Sequence, residues 1–157
     1  MSVIARIICR TVAETEQLAA KLAALAVPGD IIALCGGLGA GKTTFARGFV
    51  HALTNTNDDV PSPTFTLVQI YDTTKGQIWH CDLYRLTTPE DAAELGLDDA
   101  FSGAMCVIEW PERLGSLLPT RRLALSFNFD KTDSVVRQIE IEGDAQWAER
   151  LKRQINF

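Results

Sequence analysis

Long apolar runs, closely spaced cysteines, basic charge and repetition are all scarce in this 157-residue chain. No stretch approaches the roughly 18 consecutive apolar residues that a membrane-spanning helix needs, so no membrane role is expected. The first ten residues carry Arg6 and Arg10 among their apolar residues. They lack the uninterrupted apolar segment of a secretory signal. Cys9, Cys35, Cys81 and Cys106 fall in or beside strand-like apolar runs and never pair closely. Buried thiols in a reducing cytoplasm fit better than a disulfide framework or a metal site. Fifteen basic against twenty acidic residues give a net charge of −5 and a pI near 5.0. A domain that grips nucleic acid unaided shows a basic stripe, and no such stripe is read here beyond Arg121-Arg122. No internal repeat, linker or low-complexity tract interrupts the chain. With 46% hydrophobic residues, residues 1–157 are expected to form one domain with an ordinary core.

The strongest feature present is Gly36-Gly37-Leu38-Gly39-Ala40-Gly41-Lys42-Thr43. It matches the phosphate-cradling P-loop (Walker A) pattern at every fixed position. At average residue usage, about 0.005 chance matches are expected in a chain this long. The context also fits, because the apolar run Ile31–Cys35 precedes the loop and a helical stretch from Thr44 to Leu53 follows it. Glycines let several backbone N–H groups face one anion, and the helix that follows adds its positive end there. Lys42 supplies a compact cation for terminal phosphates, and the Thr43 hydroxyl is placed to reach Mg2+.

Val3 to Cys9 reads as a strand, and Thr11-Val12-Ala13-Glu14 has capping-box spacing ahead of Leu18, Leu22 and Leu25 on one helical face. In the P-loop helix, Phe45, Phe49 and Leu53 recur at core spacing, whereas His51 is expected on its exposed side. Asn55 to Asp59 is a polar loop continued by Val60-Pro61-Ser62-Pro63-Thr64, where two prolines bar helix. Thr66 to Tyr71 and Gln77 to Leu83 read as a hairpin joined through residues 72–76. Pro89 begins a short helix that Gly96 ends. Met105 to Ile108 is a buried strand finishing at Glu109. Alternation over 123–130 and 138–142 marks two half-buried antiparallel strands, and Asp144 caps a closing helix ending near Ile155. The expected fold is a three-layer α/β P-loop NTPase fold, with a mixed, mainly parallel sheet and a C-terminal antiparallel hairpin.

A P-loop needs an acidic partner at the tip of a neighbouring strand, because Mg2+ wants hard oxygen ligands. Asp82, after Ile78-Trp79-His80-Cys81, and Glu109 each stand where a strand reaches its C-terminal edge. Spacing does not decide which would touch metal and which would polarise water. His80 is expected to be packed or hydrogen-bonded rather than catalytic. Ser62 and Thr64 lie where switch-type loops meet the γ-phosphate. Trp110 fits a core residue, a base-stacking surface or a partner anchor equally well.

Together, the P-loop through Phe45, Ser62-Pro63-Thr64-Phe65, His80-Cys81-Asp82-Leu83-Tyr84-Arg85-Leu86 and Ile108-Glu109-Trp110-Pro111 resemble the TsaE (YjeE) family. These are small bacterial ATPases of tRNA threonylcarbamoyladenosine biosynthesis, and the likeness covers about Thr11 to Pro119. The resemblance implies Mg2+-dependent ATP hydrolysis that supports turnover by a TsaB–TsaD heterodimer, with tRNA reached only through that complex. It implies that Gly37, Leu38, Gly39, Ala40, Gly41, Lys42, Thr43 and Thr44 bind the nucleotide and that Thr43 and Glu109 ligate Mg2+. It also implies that Lys42, Asp82 and Glu109 serve catalysis, with Asp82 as the Walker-B-like acid, and that Ser62-Pro63-Thr64 form a switch-like loop. The turn at Thr11 is expected to face the base. One departure is Gly37, where the family usually carries Asp.

Two other functions compete with this reading. A small kinase of a metabolite or nucleotide would close an Arg-rich lid over the phosphates, whereas the chain past Glu109 offers a β-hairpin with little basic clustering. A nucleotide-dependent docking protein with negligible hydrolysis is the third; its GTPase form needs an Asn-Lys-x-Asp block, which is absent. Arg85 fits either an arginine acting on phosphate in cis or a partner of a nearby carboxylate. With no arginine finger in a recognisable place, hydrolysis by the isolated chain is expected to be slow.

Overall fold

The alternating residues near the C-terminus do form two antiparallel strands, with Leu125 opposite Ile141 and Phe127 opposite Ile139. In the computed structural model, which describes residues 1–54 and 67–153, they belong to a seven-stranded sheet. Its strands are β1 (Ser2–Cys9), β2 (Ile31–Cys35), β3 (Val68–Thr73), β4 (Gly76–Asp82), β5 (Met105–Glu109), β6 (Leu123–Phe129) and β7 (Arg137–Gly143). The helices are α1 (Val12–Leu25), α2 (Lys42–Thr54), α3 (Asp91–Glu94), α4 (Leu97–Gly103) and α5 (Ala145–Arg153), with a 3-10 turn at Pro111–Leu117.

The strand order is β1-β7-β6-β2-β5-β4-β3. Parallel pairing joins β6 to β2, β2 to β5 and β5 to β4. The pairs β3–β4, β6–β7 and β7–β1 are antiparallel. The sheet is therefore mixed as expected, with its parallel part confined to the centre. β2 and β5 are buried on both faces, as central parallel strands must be. Ile32, Leu34, Met105 and Val107 join the cluster with α1 and α2. Ile31, Cys106 and Ile108 join Leu97, Ala100 and Leu114 on the other side. Helices thus cover both faces, giving three layers.

Thr11 caps α1 by accepting the Glu14 N–H at 3.1 Å. The Glu14 carboxylate takes the N–H of Arg10 at 3.2 Å, so the reciprocal bond closes one residue earlier than in the usual box. Phe45 and Phe49 of α2 are fully buried, and Leu53 packs beside them. His51 is half-buried rather than exposed. Asp144 starts α5 by accepting the Trp147 N–H at 3.0 Å. The described part of α5 stops at Arg153, so the expected end near Ile155 lies outside the described residues. The expected loop at 55–64 and the strand start at Thr66 also lie outside them.

Two local expectations need correction. Thr73 pairs with Gly76, so the β3–β4 turn is tighter than a five-residue connection. Pro89 precedes α3, whose N-cap is Glu90. Gly96, at φ 77°, separates α3 from a second helix that the sequence reading does not contain. Burial of Leu97 and Ala100 holds that helix to the sheet. All four cysteines are unpaired. Burial raises the Cys81 thiol and pushes that of Cys106 up to about 12, so both stay protonated at neutral pH. No helix among the described residues is long and apolar enough to cross a membrane.

The tightest helix contact is α1 on α2. A Cβ on Gly48 would lie 3.1 Å from both the Ala19 Cβ and the Glu16 Cα. Gly48→Val should therefore wedge these helices apart and cost about 1–3 kcal/mol, read as a lower denaturant midpoint in urea unfolding. An unchanged midpoint would show that the contact has room to give.

Candidate functional site

Parallel register decides which side chains meet. In β2–β5, Leu34 lies opposite Glu109, and in β4–β5, Asp82 lies opposite Glu109. The two carboxylates therefore stand side by side at the C-terminal edge, Glu109 one strand and Asp82 two strands from where β2 releases the glycine-rich loop. Period-two alternation puts His80 and Asp82 on the face of Ile78, and Glu109 on that of Val107. Ile78 and Val107 pack toward α2. Glu109, Asp82 and His80 are all buried.

Thr43, at the start of α2, closes the arrangement. Its hydroxyl donates to Glu109 Oε1 at 2.8 Å. The other Glu109 oxygen, Oε2, lies 2.7 Å from His80 Nε2. Asp82 Oδ1 accepts the Tyr84 N–H at 3.1 Å, which fixes the chain as it leaves β4. His80 is thus packed and hydrogen-bonded, as expected.

The loop itself adopts the backbone that its glycines permit. Gly39 and Gly41 have φ of 74° and 104°, the left-handed region in which a side chain is strained. Gly36 is excluded from substitution twice over: its φ is 146°, and a Cβ would lie 2.7 Å from the Phe127 carbonyl oxygen. Gly37 differs, since its φ is not positive and open space surrounds the place where a Cβ would go. The aspartate usual in the resembled family would fit there without disturbing the loop.

Lys42 is 5% exposed. Its ammonium donates to the Gly36 carbonyl at 2.5 Å and sits 3.5 Å from the centroid of a Trp110 ring. Burial lowers its pKa, and the carboxylates of Glu109, Glu112 and Asp82 oppose that shift. Trp110 has φ 59°, is half-buried, and stacks obliquely on Tyr84 at 5.0 Å. Of the three readings open from sequence, the structure adds a fourth contact, a π face beneath the loop lysine.

Arg137, the first residue of β7, is the participant that sequence reasoning missed. Its Nε donates to the Ala40 carbonyl and one Nη to that of Gly39, both at 3.1 Å. Its guanidinium also lies 4.3 Å from the Phe129 ring. A loop whose N–H groups turn inward must turn carbonyls outward, and Arg137 supplies donors to two of them. The only signal in the sequence was a basic residue opening a strand.

These elements enclose a cavity of about 390 Å³. Leu38 to Thr44 line it together with Asp82, Glu109, Trp110, Thr11, Val12, Val135 and Arg137. Gly37 is exposed and stands outside the lining. Arg85 is also at the cavity, on an exposed turn. Ser62, Pro63 and Thr64 lie outside the described residues. Among the described residues, no three His, Cys, Asp or Glu side chains converge to hold a metal by themselves. Thr43 and Glu109 offer two hard oxygens instead, which suits a Mg2+ that takes its remaining ligands from phosphate and water.

Comparison with known proteins identifies relatives of this chain. A family model described as threonylcarbamoyl adenosine biosynthesis protein TsaE matches residues 9–139. A tRNA threonylcarbamoyladenosine biosynthesis protein TsaE from Rickettsia bellii is 47% identical over 107 residues, covering 68% of this chain and 74% of that protein. One from Bacillus subtilis is 42% identical over 113 residues, covering 71% and 70%. The chain spans as little as 60% of a third such protein, from Rickettsia conorii. The crystal structure of YdiB from Bacillus subtilis superposes with a TM-score of 0.76 at 30% identity, covering 96% of this chain and 92% of that one.

If Arg137 braces the loop, Arg137→Ala should leave the fold intact but speed amide hydrogen exchange at residues 37–43 by about tenfold, with little change in β5. Exchange that stays at the wild-type rate in the loop would remove Arg137 from this role.

Proposed function

This chain belongs to the TsaE family of threonylcarbamoyl adenosine biosynthesis proteins, and we propose that it is the ATP-hydrolysing subunit of the assembly that places threonylcarbamoyl on the adenosine beside the anticodon of tRNAs reading ANN codons. The observation that carries this reading is the 2.8 Å contact between Thr43 and Glu109 at the mouth of the glycine-rich loop. It joins a hydroxyl from the loop helix to a carboxylate from the neighbouring strand, the pair of hard oxygens that Mg-ATP requires.

In this reading the inward amides of residues 39–44 and the end of α2 hold the phosphates. Lys42 leaves the Gly36 carbonyl and the Trp110 ring to meet the terminal phosphate. Its burial makes an anion a better partner than a carbonyl dipole. Thr43 and Glu109 hold Mg2+, which when bound neutralises charge developing on the transferred phosphoryl group. Asp82, side by side with Glu109, orients the attacking water. Thr11 and Val12 also line the cavity, and the base would lie against them.

Arg137 is committed to carbonyls of the loop, so it is not poised to neutralise a transition state. With no arginine finger recognisable in the sequence, the isolated chain should hydrolyse slowly, and docking on the TsaB–TsaD heterodimer should raise the rate. The acidic balance of the chain suits docking on proteins in the cytoplasm, with tRNA gripped by the partners.

Phosphate release and modified tRNA, followed together in the presence of Mg-ATP and the purified heterodimer, test the proposal. Lys42→Ala should weaken nucleotide binding at least tenfold. Glu109→Gln should bind but lose about 100-fold in turnover, as loss of a group that stabilises transition-state charge does. Normal hydrolysis by Glu109→Gln, or a phosphorylated organic acceptor in place of free phosphate, would sink it.

A further inference from the structure

His80 is wholly enclosed, lies deep in β4, and has no part in the reading above. Nε2 meets Glu109 Oε2 at 2.7 Å, and among the described residues the buried Nδ1 has no hydrogen-bond partner. A carboxylate oxygen accepts, so Nε2 is the donor in this contact. Leaving the other buried ring nitrogen unmatched carries an energetic cost that an apolar ring of the same shape would avoid. The single bond to Glu109 is what the imidazole offers in return.

The consequence lies on the other oxygen. With Oε2 held by His80, Oε1 is turned toward Thr43, whose hydroxyl it accepts at 2.8 Å. The three side chains come from β4, β5 and α2, and the carboxylate is pinned between the other two. A free carboxylate on a flexible stem would sample other rotamers, and its two oxygens would exchange places. Outer partners of this sort fix ligand orientation in metal sites and lower metal affinity when removed.

We propose that His80 is a positioning residue that locks Glu109 with one oxygen presented beside the Thr43 hydroxyl, so that the pair is preset to take Mg2+ together with nucleotide. This rests on the function proposed above, but assigns His80 a role separate from packing. His80 touches neither nucleotide nor metal. It acts through Glu109 alone.

The test is a MgCl2 titration of ADP binding by the intact chain, read by calorimetry, alongside ADP binding in EDTA. His80→Phe keeps a ring in the buried space but has no N–H. The MgCl2 concentration for half-maximal effect should rise about 10- to 100-fold, while affinity in EDTA falls no more than about threefold. His80→Gln, which keeps an N–H donor, should recover part of the Mg2+ response. His80→Leu, a second apolar replacement, should behave as His80→Phe and serves in its place if the phenylalanine variant does not fold. A wild-type Mg2+ midpoint in His80→Phe or His80→Leu overturns the proposal. So does an equal loss in EDTA and in MgCl2, which is the mark of a residue that only packs. If wild-type protein binds ADP with no response to MgCl2, the functional reading itself fails and takes this proposal with it. Wild-type response with unresponsive His80 variants upholds both.

Discussion

One carboxylate ties the loop helix to the sheet. Glu109 accepts from Thr43 on α2 and from His80 on β4, and its backbone carbonyl takes the Leu83 N–H at 3.1 Å. Three segments far apart in sequence are thereby fixed relative to one another around a buried charge. The arrangement depends on the parallel register of β2, β5 and β4, because a one-residue slip would turn Glu109 to the opposite face. The continuous apolar runs of β2 and β5 specify burial on both sides, and the edge on which they end becomes the place where polar chemistry collects.

Unusual backbone gathers at that same edge. Gly36, Gly39, Gly41 and Trp110 all have positive φ, and Trp110 adopts it with a full side chain. A non-glycine residue held there carries a conformational penalty that surrounding contacts must offset. The contacts are visible: the Lys42 ammonium over its ring, Tyr84 beside it, and Pro111 starting the next turn. Arg137 performs the complementary task from the opposite strand, satisfying carbonyls that the loop turns outward.

Much of this was legible beforehand because it is written in local pattern. The glycine-rich loop, the acids ending β4 and β5, and the core face of α2 each follow from spacing within about ten residues. The helix α4 was missed because Gly96 reads as a stop, whereas here its left-handed backbone is the hinge between two short helices. Arg137 was missed for a different reason. It lies 97 residues from Ala40, the carbonyl it serves, and meets it only because β6 pairs with both β2 and β7. The bond from His80 to Glu109 was likewise out of reach, since it requires the β4–β5 register. Thr11 was recognisable as a helix cap, but its place on the cavity wall depends on how α1 packs on α2.

The central claim is that the loop amides and the Thr43–Glu109 pair form one preset receptor for a nucleotide phosphate tail and Mg2+. The most direct measurement is a 1H–15N correlation spectrum of labelled protein titrated with Mg-ADP. The account predicts that the largest shifts fall on the amides of Gly39, Gly41, Lys42 and Thr43 and saturate together with a single dissociation constant. Amides of the loop that hold their positions at millimolar Mg-ADP, while resonances elsewhere move, would contradict it.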